Sequence, residues 1–272
     1  MKTFDLIQKR VSVRTYTAQE VDEKTRTALV DYASTLKAPW GNRAKFAWVP
    51  VSAPAGEPKK FGTYGMIKGA RWFLAGAMKK APGAEEDYGY LLEGVILKAA
   101  ELGLGTCWLG GTFHRDDYTQ ALDLQSDEFI PAITPVGYAT PSKRLKEFLI
   151  ATLIQVRTRK PLKDWALLNG EAGIYRDALE AVRLGPSASN KQPWRIFLAR
   201  DGSAHFYLEE TPNYNADSVA RCGFPIQRLD LGIAFFHWEQ VLKDEGSFGN
   251  WSRNDPVLTV PEKWVYIATW SR

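Results

Sequence analysis

The 272-residue sequence has few cysteines, no long apolar run and no block of like charge. Its two cysteines, Cys107 and Cys222, are too few for a disulfide framework or a cysteine-rich zinc site. No apolar run reaches the roughly 18 residues of a membrane-spanning helix, and the first residues lack the apolar stretch of a signal peptide. These absences predict a protein of the reducing cytoplasm with no membrane association.

Three histidines, His114, His205 and His237, lie far apart and fit no metal-ligand spacing, so we expect no metal site. His237 falls in an apolar helical stretch and is interpreted as a core histidine. The net charge of +4 suits an anionic small ligand at least as well as a nucleic acid. Because like charges are not clustered, we expect a small-molecule partner and no nucleic acid.

Apolar periodicity predicts an α+β fold, since helical and strand patterns both recur along the chain. The hydrophobic fraction of 45% is high enough to form a core and to exclude a disordered chain. The dipeptide Asp201-Gly202 between two apolar runs indicates a hairpin. Helices are predicted over 3–10, 20–36, 85–103, 175–184 and 227–244, and strands over 44–52, 71–78, 106–111, 195–200, 204–209 and 263–270.

The order of features in the first half of the chain is repeated in the second. A helix, a polar loop and a Pro-Trp pair at 29–42 parallel 179–194, and a long helix with a glycine stop and a tryptophan at 88–108 parallels 226–251. This order predicts an internal duplication. We therefore divide the chain into a first half, 1–158, and a second half, 159–272, packed as one unit.

Alternating polar residues occupy the segment Arg10-Val11-Ser12-Val13-Arg14. In an extended chain, alternate side chains share a face, so two guanidinium groups and a hydroxyl would point the same way. Such donors suit a phosphate, although a surface triplet of this kind is also common.

A second polar segment, 186–194, reads PSASNKQPW and connects a helix ending at Gly185 to a strand. Its prolines hold the backbone extended, while its Ser and Asn side chains supply short donors and acceptors. An ordinary polar loop is the alternative, but the density of polar groups favours a ligand contact.

A glycine-rich segment, 101–111, reads ELGLGTCWLGG. Glycines allow a backbone to approach a ligand closely. The segment ends a helix instead of opening one, so it is not a dinucleotide-binding fingerprint.

Together, these three segments resemble the signature stretches of the flavin-dependent nitroreductase family, in its internally duplicated single-chain branch. The resemblance implies a nitroreductase-like fold: mixed, mainly antiparallel sheets flanked by helices, with two pseudo-repeats that mimic the family dimer. It also implies flavin mononucleotide (FMN) as cofactor.

The resemblance carries site roles to matching positions. Phosphate contacts are implied for Arg10, Val11, Ser12 and Arg14, with Lys143 or Arg144 adding charge. Gly110 and Gly111 would place a backbone N–H near flavin N5. Flavin-ring contacts are implied for Pro186, Ser187, Ala188 and Asn190 and, on a poorer match, for Thr63 and Tyr64.

The motif order departs from that of ordinary members. There, the Pro-Ser-Asn loop follows soon after the arginine clamp, whereas here the intact loop lies in the second half. One chain would thus complete one site as a monomeric pseudo-dimer. The mirror site, at 156–162 and 246–254, lacks the motifs, so changes at Asn42 or Arg159 should barely alter flavin content.

The function implied is an FMN-dependent oxidoreductase in which NADH or NADPH reduces the flavin and a nitroaromatic, quinone or similar acceptor reoxidises it. No side chain is required as an acid or base, so no catalytic residue is named. A flavin-binding carrier or sensor without turnover is the alternative, and a relative that binds no flavin is a third.

Overall fold

The computed structural model describes residues 1–51, 66–140 and 158–272. The helices are α1 (Thr3–Lys9), α2 (Glu23–Thr35), α3 (Ala84–Glu101), α4 (Asp116–Thr119), α5 (Arg176–Leu184), α6 (Tyr214–Cys222) and α7 (Gln227–Asp244). The strands are β1 (Ala44–Pro50), β2 (Trp72–Lys79), β3 (Gly105–Thr106), β4 (Glu128–Phe129), β5 (Ile133–Gly137), β6 (Ala166–Leu168), β7 (Trp194–Leu198), β8 (Ala204–Glu209), β9 (Asn250–Ser252) and β10 (Trp264–Ser271).

The strands form two separate sheets, one in each half of the chain. The first has the order β1-β2-β5-β3, with β4 beside β2, and all its pairs are antiparallel. The second has the order β6-β7-β8-β10-β9 and is antiparallel except between β6 and β7. The predicted α+β class with mixed, mainly antiparallel sheets is therefore confirmed, as is the hairpin at Asp201-Gly202.

The two longest helices, α3 and α7, cross at the centre of the molecule and are buried along most of their length. Glycines permit the crossing. A Cβ on Gly89 would lie 2.2 Å from the Leu229 carbonyl oxygen, and a Cβ on Gly232 would lie 1.9 Å from the Glu86 carbonyl oxygen. Gly89 and Gly232 are 143 positions apart, and so are Glu86 and Leu229, so each contact is the counterpart of the other. A local pseudo-twofold axis therefore passes through the crossing.

The main hydrophobic core includes α3, α7 and inward-facing residues of both sheets. A smaller cluster lies around β2 and the segment after β3. Across the described ranges, no helix combines the length and apolarity that crossing a bilayer requires. The same residues contain no cluster of His, Cys, Asp or Glu side chains that could hold a metal ion.

Candidate functional site

The arginine-rich segment after α1 runs beside the glycine-rich segment. Val13 donates its backbone N–H to the Thr106 carbonyl oxygen at 2.8 Å, and Ser12 forms a parallel bridge with Thr106. A Cβ on Gly105 would lie 2.7 Å from a Val13 methyl carbon, so only glycine allows this approach. Two motifs predicted to share a site are thus adjacent at one sheet edge.

The Arg10 side chain turns into the protein directly after α1. It is only 7% exposed, and its Nε lies 3.9 Å from Oε1 of Glu93. Its Nη1 is buried and has no hydrogen-bond partner within the part of the chain that the structure describes. Because a buried donor is costly to leave unpaired, this nitrogen can donate to an anion.

Glu93, on α3, connects three parts of the fold. Besides facing Arg10, its carboxylate accepts a hydrogen bond from Nε1 of Trp108 at 2.7 Å. Its other oxygen lies 2.9 Å from Nε2 of His237, on α7. Both Glu93 and His237 are fully buried. The arginine clamp, the glycine-rich segment and the second half therefore meet at one carboxylate.

His237 extends this connection towards the Pro-Ser-Asn loop. Its Nδ1 lies 2.8 Å from the Ala181 carbonyl oxygen, near the end of α5. A Cβ on Gly185, the residue before the loop, would lie 3.5 Å from the same nitrogen. The structure thus brings the first-half clamp close to the start of the second-half loop. The interpretation of His237 as a hydrogen-bonded core histidine is confirmed.

The loop over 186–192 has an unusual backbone. Ser189, Asn190 and Gln192 have φ angles of 47°, 54° and 51°, in the left-handed region that side chains other than glycine rarely adopt. The loop is held internally by a hydrogen bond from the Gln192 N–H to Ser187 Oγ at 2.9 Å. Conformations of this kind persist where the surroundings enforce them, and they cluster at functional sites.

Asp230, in the first turn of α7, anchors this loop. Its Oδ1 accepts the Ala188 N–H at 2.9 Å, while its Oδ2 is buried without a partner among the described residues. Burial raises the pKa of Asp230 well above its usual value, and the Ala188 hydrogen bond opposes that rise only in part. The raised pKa favours the protonated acid.

Asn190 bonds with residues at the boundary between the halves. Its Oδ1 accepts from Arg159 Nη1 at 2.9 Å, and its Nδ2 donates to the Thr158 carbonyl oxygen at 3.0 Å. The prediction that places Arg159 in the eroded mirror site is therefore not supported by its position. The backbone at 158–160 lies beside the 186–192 loop, as the hydrogen bond from the Lys160 N–H to Gln192 Oε1 at 2.8 Å also shows.

Gly110 and Gly111 pack against the second half of the chain. A Cβ on Gly110 would lie 2.7 Å from Cδ1 of Ile226, whereas a Cβ on Gly111 would lie 4.0 Å from it. The Gly110 carbonyl oxygen accepts a hydrogen bond from Arg115 Nη2 at 2.7 Å. Arg115 fixes this backbone, and a side chain at Gly110 would have to displace the terminal methyl group of Ile226.

The pseudo-twofold counterpart of this contact is filled by side chains. Under the 143-position shift, Arg253 is the counterpart of Gly110, and Gly83 is the counterpart of Ile226. The Arg253 guanidinium lies 4.1 Å from the Trp40 ring centroid, and a Cβ on Gly83 would lie 1.8 Å from Arg253 Nη2. A cation–π pair thus occupies the place where the first half has a bare backbone.

The first half also contains a counterpart of the Asp230 anchor. Asp87, in the first turn of α3, accepts the backbone N–H groups of Trp40 and Asn42 at 3.0 and 2.9 Å. Burial is the main cause that raises the pKa of Asp87 to about 6. Each long helix therefore holds the neighbouring polar loop by a buried aspartate in its first turn.

Four residues named from the resemblance, Thr63, Tyr64, Lys143 and Arg144, lie outside the described residues. Conversely, sequence reasoning did not single out Glu93, Asp87 or Asp230. A usable signal was present, since each is an acidic residue within the apolar pattern of a long helix.

Comparison with known proteins agrees with this architecture. A family model described as "Putative TM nitroreductase" matches residues 2–241. A solved structure described as a putative nitroreductase, from Thermotoga maritima MSB8, has 18% identity and a TM-score of 0.60, covering 99% of this chain and 92% of that one. Another, described as an oxidoreductase containing FMN, has 17% identity and a TM-score of 0.50, covering 63% and 92% of the two chains. No curated protein matches the sequence.

The two solved structures show a shared fold, and the family model extends the relation to the sequence. All three predicted signature segments, 10–14, 101–111 and 186–194, fall within the range that the family model matches. The nitroreductase resemblance inferred from those segments is thereby confirmed. With most of its length matched, the chain belongs to this nitroreductase family.

Proposed function

We propose that the protein is an FMN-dependent oxidoreductase that accepts hydride from NADH or NADPH and reduces a nitroaromatic, quinone or similar small acceptor. The observation that carries the proposal is the buried Arg10 side chain, whose Nη1 lacks a partner within the described ranges. A phosphate provides charged acceptors for such a donor. Support also comes from family membership and from the similar structure described as containing FMN.

The residues present fit the cofactor in three groups. Arg10, Ser12 and Arg14, with the Val11 backbone, would hold the phosphate, with added charge from Lys143 or Arg144. The backbone at Gly110 and Gly111 would approach the flavin edge. Pro186, Ser187, Ala188 and Asn190 would contact the ring system from the second half.

When bound, FMN supplies the hydride chemistry, and the protein supplies position and electrostatics. The chain's own part is to keep the site rigid. Arg115 fixes the Gly110 carbonyl group, and Asp230 fixes the Ala188 N–H, so the backbone on both sides of the site is held in place. Within this proposal, no side chain transfers a proton during the reaction.

We further propose one FMN per chain, bound by a pseudo-dimer. The Arg253–Trp40 pair supports this, because it fills the position that corresponds to Gly110 in the second, pseudo-symmetric arrangement. The second arrangement therefore lacks space for a cofactor.

The test is to prepare the apoprotein and titrate it with FMN, following flavin fluorescence. Arg10→Ala combined with Arg14→Ala should abolish tight binding while the protein stays folded. Arg176→Ala with Arg200→Ala, two exposed arginines, is the matched control and should bind normally. Full FMN occupancy in the Arg10/Arg14 variant would overturn the phosphate assignment.

Turnover is tested on the FMN-loaded protein. Under anaerobic conditions, NADH or NADPH should bleach the flavin absorbance quickly, and a nitroaromatic or quinone should restore it. A protein that binds FMN tightly but is not bleached by either donor would instead be a carrier or sensor.

A further inference from the structure

We propose that His237 and Glu93 form a charge-balanced pair that leaves Arg10 free to hold the cofactor phosphate. His237 would be a positioning residue, acting through Glu93 and Arg10 without touching the cofactor. This inference rests on the proposed function, because it assigns the phosphate to Arg10.

The hydrogen-bond geometry fixes how many protons the pair carries. The Ala181 carbonyl oxygen can only accept, so the His237 nitrogen facing it at 2.8 Å, Nδ1, carries a hydrogen. The other nitrogen, Nε2, lies 2.9 Å from Glu93 Oε1, which requires one more proton between the two groups. Whether this proton resides on the imidazole or on the carboxyl, the pair has a net charge of zero.

The balance matters because Arg10 is almost completely buried. In the described part of the chain, Glu93 is the one carboxylate within 4 Å of Arg10. If Glu93 were an unbalanced anion, it would neutralise Arg10 and compete with a bound phosphate. With His237 balancing Glu93, the positive charge of the guanidinium is not offset by the carboxylate, and Nη1 remains available to an anion.

The pseudo-twofold symmetry shows that helix packing does not require this polar pair. Under the same 143-position shift, Phe236 is the counterpart of Glu93, and Gly94 is the counterpart of His237. There, the Phe236 ring lies 2.7 Å from a Cβ built on Gly94, so the equivalent crossing is apolar. Because the same helices pack without charges on that side, the buried ionisable pair beside Arg10 points to a role in the site.

The test measures FMN and riboflavin binding to apoprotein variants, since riboflavin lacks the phosphate. His237→Gln retains a polar side chain of similar size but cannot carry the balancing charge. We expect it to weaken FMN binding on the order of tenfold, the size of one charge-assisted hydrogen bond, with riboflavin binding unchanged. Glu93→Gln alone should bind FMN about as well as the wild type.

The decisive variant is the double change Glu93→Gln with His237→Gln. It removes both the carboxylate and the charge that balances it, so we expect FMN affinity to return to within about threefold of the wild type. This variant also tests the proposal if His237→Gln alone fails to fold. A double variant as weak as the single one, an unchanged His237→Gln, or an equal loss of riboflavin binding would overturn it.

Arg10→Ala separates this inference from the proposed function. If Arg10→Ala leaves FMN binding intact, the phosphate assignment itself is wrong. If Arg10→Ala weakens FMN binding and the His237 variants do not, only the charge-balance inference fails.

Discussion

At the scale of single residues, Asn190 and Asn42 offer a matched comparison between the two halves. Asn190→Ala removes hydrogen bonds to Arg159 and Thr158 that hold a positive-φ turn. We expect FMN binding to weaken by about 1–3 kcal/mol. Asn42→Ala removes side-chain bonds to the Pro82 carbonyl oxygen and to Asp87, and should leave FMN affinity unchanged in the same titration.

Asn190→Gly separates the role of the side chain from that of the backbone. Glycine tolerates the positive φ but lacks the amide, so it should lose affinity as Asn190→Ala does. If Asn190→Gly binds FMN normally, the backbone conformation alone accounts for the contribution of this position to FMN affinity. Greater sensitivity at Asn42 than at Asn190 would contradict the pseudo-dimer.

Asp87 gives a stability prediction with a definite sign. Its folded-state pKa is raised from 3.8 to about 6, so the folded protein binds more protons than the unfolded chain between those values. The Asp87 contribution therefore favours folding at low pH and is lost as the pH rises through about 6. The shift corresponds to about 2–3 kcal/mol of unfolding free energy.

Denaturant unfolding of the wild type and Asp87→Asn between pH 4 and pH 7 measures this contribution. The free-energy difference between them should change with pH, in the direction that favours the variant as the pH rises. Asp31→Asn, an exposed residue of α2, is the control and should follow the wild type. A constant offset between wild type and Asp87→Asn would show that Asp87 does not titrate in this range.

At the scale of elements, the crossing of α3 and α7 depends on the absence of side chains. Gly232→Ala places a methyl group 1.9 Å from the Glu86 carbonyl oxygen, which cannot move without displacing α3. Overpacking should outweigh the gain in helix propensity and destabilise the protein by about 1–3 kcal/mol. Thermal or denaturant unfolding measures the loss.

Gly94→Ala is the graded control, because its Cβ would meet the Leu36 and Phe236 side chains instead of a backbone. Side chains can adjust, so we expect a smaller loss. An equal loss of unfolding free energy in both variants would mean that the backbone contact at Gly232 restricts side-chain size no more than the side-chain contacts at Gly94 do.

At the scale of the whole molecule, the proposal of one site per chain can be counted. Titration of the apoprotein should saturate at about one FMN per chain. Arg253→Ala should alter neither that ratio nor the affinity, although losing the contact with Trp40 should destabilise the fold by about 0.5–1 kcal/mol. Saturation at two equivalent FMN molecules per chain would refute the pseudo-dimer.

Much of the fold was predictable because its longest elements have strong local patterns. The observed α7, Gln227–Asp244, has the predicted bounds, and α3 differs from its prediction by two residues or fewer at each end. The nine-residue helix α6 was missed, as were short strands such as β6 and β9. Two or three residues give no periodicity, and the pairing of such strands depends on neighbours that are distant in sequence.

The candidate site was only partly predictable for a related reason. The arginine, glycine and Pro-Ser-Asn motifs are contiguous, so each could be found along the chain. The Glu93–His237 contact joins residues 144 positions apart, and neither has a motif. Likewise, nothing local indicates that Arg159 bonds with Asn190.

The sequence by itself determined the family, the long helices and the division of motifs between two halves, because these depend on local residue order and spacing. Only the tertiary structure decided which charges share a buried environment. The Glu93 carboxylate that faces Arg10 also contacts a histidine from the other half, and the position that mirrors Gly110 is filled because Arg253 and Trp40 meet in space. Electrostatic energy depends on distance and burial, and folding brings together groups that are far apart in the sequence.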